Sequence, residues 1–147
     1  MRSAIIEAGK AAKLDEVPVG AVVLDPTGRI VGTGYNTPIA KCDPTAHAEI
    51  VALRQAALTM GNYRLNGCIM AVTLEPCLMC VGAIVHARIA GLIFGAYDAR
   101  AGAISSQIEG FELPLHNHLP WQAGGFLESE CSNLLRNFFS NRRITKT

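Results

Sequence analysis

CIMAVTLEPCLMCVGAIVHAR, residues Cys68 to Arg88, is the stretch on which the reading of this chain turns. Cys68 to Leu74 is a short apolar run of strand length, and Pro76 then opens a helix at the first helical position, where its fixed φ is already suitable and its missing N–H is not needed. Val81, Ile84 and Val85 carry that helix onward at helical spacing. A strand that runs straight into a helix is the building block of α/β architecture. Cys77 and Cys80 both fall in the helix's first turn, three residues apart, so their sulfurs point the same way. The partly positive helix start favours thiolate over thiol.

Upstream, a helix is expected from Thr45 or Ala46 to about Met60, which puts His47 and Glu49 in a second first turn. Further back, Ser3 to Leu14 places Ile5, Ala8 and Ala12 on one face with Glu7, Lys10 and Lys13 for solvent, an amphipathic helix. Val19 to Asp25 and Arg29 to Thr33 are β-branched runs split by Pro26-Thr27-Gly28, a hairpin signature. Tyr35 to Thr45 reads as a loop. Downstream, Ala90 to Ala96 reads as a strand and Tyr97 to Gln122 as a surface loop with short regular pieces. Leu127 to Arg143 reads as a helix whose stripe of Leu127, Cys131, Leu134, Leu135 and Phe138 packs on the sheet. The alternation predicts an α/β fold over residues 1–147 as a single domain, a three-layer α/β/α sandwich with a mixed central sheet. The two helix starts then meet above one sheet edge.

With 147 residues the chain has room for one substantial core. Hydrophobic residues make up 50% and charged ones 17%, a composition that favours self-association. No apolar run reaches the roughly 18 residues of a membrane span, and no secretory pattern opens the sequence, so a cytoplasmic protein is expected. Five cysteines, two of them in Cys-x-x-Cys, point to a reducing compartment rather than a disulfide framework. Cys42, Cys68 and Cys131 are expected as buried packing thiols. The net charge of +1 projects no global field toward nucleic acid. Local patches must serve instead, and the tail after Glu130 carries Arg136, Arg142, Arg143 and Lys146 with no acid.

One imidazole (His47) and two thiolates (Cys77, Cys80) make a three-ligand zinc site with a fourth position for water, and Glu49 stands two residues from the imidazole as a proton carrier. Each piece has a plainer reading. Cys-x-x-Cys alone also suits a redox dithiol, His47 alone an ordinary hydrogen-bonded histidine, and Glu49 alone a helix-start carboxylate. A structural zinc would need a fourth ligand, for which Cys68, Cys42 or His86 are candidates. His116 and His118 are read as surface-loop residues between Pro114 and Pro120. Jointly, His-x-Glu followed by Pro-Cys-x-x-Cys is the signature of zinc base deaminases.

At these motifs the chain resembles the zinc-dependent cytidine and nucleoside deaminase superfamily, and within it the bacterial tRNA-specific adenosine deaminases. The likeness extends through Glu16 to Val22, Asp43 to Glu49, Asn62 to Leu65, Thr73 to Cys77, Ile84 to Ile89 and Phe94 to Ala96. It implies a cytidine-deaminase-like fold, one Zn2+ per subunit and a homodimer whose pockets use both subunits. It further implies hydrolytic conversion of the wobble adenosine in a tRNA anticodon stem-loop to inosine. By the same resemblance Asn36 contacts the target nucleoside, Asp98 lies on the RNA-facing loop, and the Phe138-Phe139 and Arg142-Arg143 segment lies near the RNA. Phe139 is the better stacking candidate, since Phe138 belongs to the core stripe. A deaminase of a free base or nucleoside, of guanine, cytosine or cytidine type, is the alternative, and a catalytically silent RNA-binding subunit a more distant one.

Overall fold

In the computed structural model, which describes residues 1–144, the order of elements begins with helix α1 (Arg2–Lys13), strands β1 (Gly20–Leu24) and β2 (Ile30–Tyr35). A one-turn helix α2 (Pro38–Lys41) and helix α3 (Ala48–Met60) follow. Strand β3 (Ile69–Leu74), helix α4 (Leu78–His86) and strand β4 (Gly91–Ala96) form the βαβ unit expected from the quoted stretch. A 3₁₀ turn (Gly110–Glu112), strand β5 (Trp121–Ala123) and helix α5 (Glu128–Ile144) complete the chain.

The β1–β2 hairpin is antiparallel, with a register shift between Val23 and Leu24. Its turn is held by Asp25, whose Oδ1 accepts from the backbone N–H groups of Thr27 and Arg29, while Gly28 takes φ +85°. An Asx-type side chain thus does what Pro-x-Gly alone suggested. The sheet order is β2-β1-β3-β4-β5. β1 pairs antiparallel with β2 and β3, whereas β3–β4 and β4–β5 are parallel, so the sheet is mixed as expected.

The strand period of two sorts the side chains onto two faces. Ala21, Val23, Met70, Val72, Leu92 and Phe94 join Ala48, Ala52 and Leu53 of α3 and Val81 and Ile84 of α4 in the main core. Val22 and Ala71 face the other way, onto Ala4 of α1. On that same side α5 presses close to β4, where a Cβ at Gly95 would lie 2.4 Å from Cys131 Sγ. Helices therefore cover both faces, giving the three layers. Each fully buried side chain such as Phe94 or Met70 contributes about 1.5–3 kcal/mol.

One close approach positions the functional site. A Cβ at Gly34 would lie 2.4 Å from Ala48 O, and one at Gly32 would lie 2.4 Å from Ala52 O, so α3 rests directly on the β2 backbone. Only glycine lets a helix come that near a strand.

Several expectations need correction. α4 starts at Leu78 with Cys77 as its N-cap, so Pro76 precedes the helix instead of occupying its first position. Cys77 is extended (φ −77°, ψ 170°), and so is His47, the N-cap of α3 (φ −69°, ψ 154°). The stretch read as loop before α3 contains α2. The region after β4 does hold short regular pieces, the 3₁₀ turn and β5, and the unforeseen part is that β5 joins the sheet beside β4, with the Trp121 ring over Gly91. Cys68 and Cys131 are buried, but Cys42 is exposed because it caps α2 in the left-handed region (φ 48°). Lys146 lies outside the described residues. No helix among the described residues is long and apolar enough to cross a membrane.

Candidate metal centre and the adjoining cleft

α3 and α4 pack against the same sheet face and against each other, with their N-caps side by side. His47 Nδ1 lies 3.6 Å from Cys77 Sγ and 3.6 Å from Cys80 Sγ, and the three donor atoms all fall within 4.8 Å of one another. One nitrogen and two sulfurs at the corners of a small triangle fit zinc, whose usual ligands these are. Among the described residues this is the only group of three or more His, Cys, Asp or Glu side chains so assembled. The suggested fourth ligands do not reach it: Cys68 is buried in the core, Cys42 caps α2, and His86 is the last residue of α4, at the far end from Cys77.

The electrostatics follow from the hydrogen bonds among the three donors and from their burial. Cys77 is held down to about 4, mainly by the hydrogen bond from the Cys80 thiol and next, against the cost of burial, by the bond to His47. Cys80 is correspondingly pushed up by its bond to Cys77 and by burial, so the metal-free pair keeps one proton. The His47 imidazole is raised by its bond to Cys77, against burial. Helix dipoles aimed at the sulfurs add to the preference for negative charge there. A divalent cation replaces that shared proton with a stronger positive charge.

Glu49 is 4% exposed and sits in the first turn of α3. Burial pushes its carboxyl up to about 7, opposed by a hydrogen bond from its own backbone N–H. A carboxylate poised near neutrality is suited to taking and returning a proton.

Asn36 follows β2; its backbone N–H donates to the Val19 carbonyl (3.1 Å), and its Oδ1 accepts from the backbone N–H of Ala48, 2.9 Å away, beside His47. That bond satisfies an orphan amide of the α3 first turn and leaves the Asn36 side-chain N–H₂ for other partners. Asp98 is engaged in its own loop, with Oδ1 accepting from the N–H groups of Arg100 (2.9 Å) and Ala101 (3.2 Å). Phe139 is 44% exposed and lines a cleft of about 550 Å³ with Tyr97, Arg100, Arg136 and Arg143. Phe138 is half-buried. Arg142 differs from expectation: it pairs with Asp15 through two side-chain bonds (3.1 and 2.8 Å) and reaches the Asp15 carbonyl at 2.9 Å, with its guanidinium 4.8 Å from the Phe138 ring centre. His118 bonds the Ile89 carbonyl at 2.7 Å, a loop anchor.

Sequence reasoning missed Glu75. This carboxylate is 2% exposed and accepts from the backbone N–H groups of Asp98 (3.0 Å), Ile104 (3.1 Å), Ser105 (2.8 Å) and Ser106 (2.9 Å), and from the Ser106 hydroxyl. Burial alone would raise it, but the bonds from Ser106, Ser105 and Asp98 hold it below the usual carboxylate range. A hint was available: an acid closing an apolar strand has to be satisfied somehow.

Fold and donor set together define a zinc-dependent deaminase. Residues 1–96 match the profile of the cytidine and deoxycytidylate deaminase zinc-binding region. The chain is 49% identical over 146 residues to the tRNA-specific adenosine deaminase of Haemophilus influenzae, covering 99% of this chain and 84% of that one. It is 44% identical to the tRNA-specific adenosine deaminase of Agrobacterium fabrum over 98% of this chain and 94% of the relative. A solved structure from work on A-to-I editing by tRNA:A34 deaminases at the wobble position of transfer RNA superposes with a TM-score of 0.89 at 42% identity, covering 92% of this chain and 97% of the other. The chain belongs to the tRNA-specific adenosine deaminase family.

Proposed function

We propose that this protein converts the wobble adenosine of a tRNA anticodon loop to inosine by hydrolysis, releasing ammonia. The observation that carries the reading is the three-donor triangle of His47, Cys77 and Cys80 with the buried Glu49 in the same helix turn. The names of the relatives supply the substrate. The cleft lined by Phe139, Tyr97 and three arginines supports an RNA partner, since an exposed aromatic ring can stack on a base and guanidiniums can meet phosphates.

In this reading His47, Cys77 and Cys80 hold zinc, which when bound makes water a competent nucleophile near neutral pH. Glu49 accepts the proton of the attacking water and delivers it to adenine N1 as C6 is attacked. It then carries the second proton to the departing amine, acting in turn as base and acid. Water and adenosine thus become inosine and ammonia, with no other reactant. Asn36, its Oδ1 fixed on Ala48, presents its amide N–H groups to the nucleoside. Phe139 stacks on a loop base, and Asp98 acts chiefly by shaping the loop that carries Arg100. A loop nucleotide avoids most of the few kcal/mol needed to flip a base from a duplex.

The whole activity resides in one domain over residues 1–147, working in the cytoplasm as a homodimer. Tyr63 (67% exposed) lines a groove of about 470 Å³ with Ile50, Leu53 and Ala57 of α3 and Ala83 of α4, which supports pairing through that face. Anticodon hairpins differing only at the wobble base, offered beside free adenosine, cytidine and guanine, test the substrate. Inosine is expected in the adenosine hairpin alone. Turnover of guanine or cytidine with the hairpin untouched refutes the proposal. Glu49→Ala is expected to keep zinc and lose turnover, whereas Cys77→Ala loses both.

A further inference from the structure

We propose that Glu75 is a positioning residue for the RNA substrate, holding the 97–106 loop, one wall of the Phe139 cleft, in fixed relation to the Cys77 turn. The inference rests on the RNA-substrate reading above.

Glu75 is the last residue before Pro76 and Cys77, so two peptide units tie it to a metal ligand. Its side-chain bonds all lead to one loop. Oε2 accepts from Asp98 N and the Ser106 hydroxyl, and Oε1 accepts from three consecutive amides, Ile104, Ser105 and Ser106. Two main-chain bonds reinforce the junction, from Glu75 N to Ala96 O (2.8 Å) and from Ala103 N to Pro76 O (2.8 Å). The packing is tight enough that a Cβ on Gly102 would lie 2.3 Å from Glu75 Oε2.

Among the described residues no lysine or arginine pairs with this buried carboxylate; its charge is met by N–H groups and a hydroxyl from a single segment. Charge-assisted bonds of this kind are short and directional, and their number makes the loop rigid where it would otherwise be a solvated turn. A fold that needed only to bury the end of β3 could use an apolar residue there. What the carboxylate adds is registry. Tyr97, immediately before the clamped Asp98, and Arg100, two residues after it, line the cleft with Phe139, Arg136 and Arg143. The distance between that wall and the zinc ligands is therefore set through Glu75. RNA held in the cleft is presented to Glu49 at a height that this side chain fixes.

Glu75→Gln discriminates the role. The amide oxygen can keep the three bonds from residues 104 to 106, while the amide N–H₂ then faces the donating N–H of Asp98 and breaks that bond. Ser106→Ala is the milder variant, removing the hydroxyl and leaving every backbone bond. Amide exchange of the full-length protein, zinc stoichiometry, hairpin affinity, and kcat and KM on the adenosine hairpin are measured together. Glu75→Gln is expected to retain one zinc, to lose protection at Asp98 while keeping it at Ser105, and to raise KM at least tenfold with kcat within about threefold. Ser106→Ala is expected to move the same quantities less. Unchanged protection at Asp98, loss of zinc, or a fall in kcat at constant KM overturns the inference. If the wild-type protein leaves the hairpin unconverted, the substrate reading is what fails. Loss of Asp98 protection and a tenfold weaker hairpin affinity in Glu75→Gln then still support the positioning role, and unchanged values of both overturn it.

Discussion

Replacing Gly34 by alanine should cost the protein its metal more than its fold. The added Cβ would lie 2.4 Å from Ala48 O and 2.5 Å from Ala52 N, both main-chain atoms of α3 that cannot rotate away. Restoring ordinary contact requires the start of α3 to retreat by about 1 Å. His47 is the N-cap of that helix, so its imidazole moves with it. Ligand distances in a zinc site tolerate only about 0.2 Å, so a shift of that size takes the nitrogen out of bonding range of an ion still held by Cys77 and Cys80. Overpacking of this sort costs about 1–3 kcal/mol, and for a domain of this size each kcal/mol lowers Tm by roughly 2–4 °C. Gly32→Ala is the control, because its Cβ would meet α3 one turn later, at Ala52 O (2.4 Å) and the Ala56 side chain (2.8 Å), away from any ligand. Competition with a chromophoric chelator, alongside thermal melts, reads both effects. The two variants should melt at similarly lowered temperatures, with zinc affinity down by about tenfold to a hundredfold in Gly34→Ala alone. Equal zinc affinity in Gly34→Ala and wild type would show that the helix start absorbs the methyl group without moving His47.

In the metal-free protein Glu49 has a folded-state pKa raised to about 7, chiefly by burial, so stability is lost as pH rises from the ordinary carboxylate value toward 7. Metal-free Glu49→Gln should therefore exceed metal-free wild type in stability by up to about 3 kcal/mol at pH 8, with the gap closing near pH 4, as urea titrations at the two pH values will show. Arg136→Ala and Arg143→Ala should each flatten the salt dependence of RNA binding by about one unit of slope. Arg142→Ala should leave that slope nearly unchanged, because Asp15 already occupies its guanidinium. Gly91→Ala would drive a Cβ into the ring of Trp121, to 1.9 Å from its Cε2, and so should lift β5 off β4. Trp121 is the only tryptophan, so a red-shifted emission with zinc content unaltered reports the event; an unshifted spectrum counts against it.

Elements that the chain spells locally were legible in the sequence. The β-branched runs around Pro26-Thr27-Gly28, the apolar strand before Pro76 and the helical stripe through Cys131 each carry their own period. The metal ligands were legible because zinc demands particular residue types at short spacing. What stayed hidden depends on partners distant in the chain. β5 is three residues long beside Pro120 and acquires strand geometry only by pairing with β4. Arg142 looks like any tail arginine until α5 packs and brings it to Asp15, a contact spanning 127 residues. Glu75 was passed over for the same reason, since four of its five donors lie near residue 105.

The two N-caps that supply the ligands belong to helices launched from different strands, α3 after β2 and α4 after β3. They come together only because β1 lies between those strands and pairs with both. A slip of one residue in either ladder would turn the buried face outward and shift one helix start against the other by a strand step of roughly 3.4 Å. Retention of the ion is therefore a test of correct assembly: a misregistered chain could keep much of its helix content and still release its zinc to a mild chelator. Metal stoichiometry in a purified preparation counts properly assembled molecules, a quantity that circular dichroism alone would overstate.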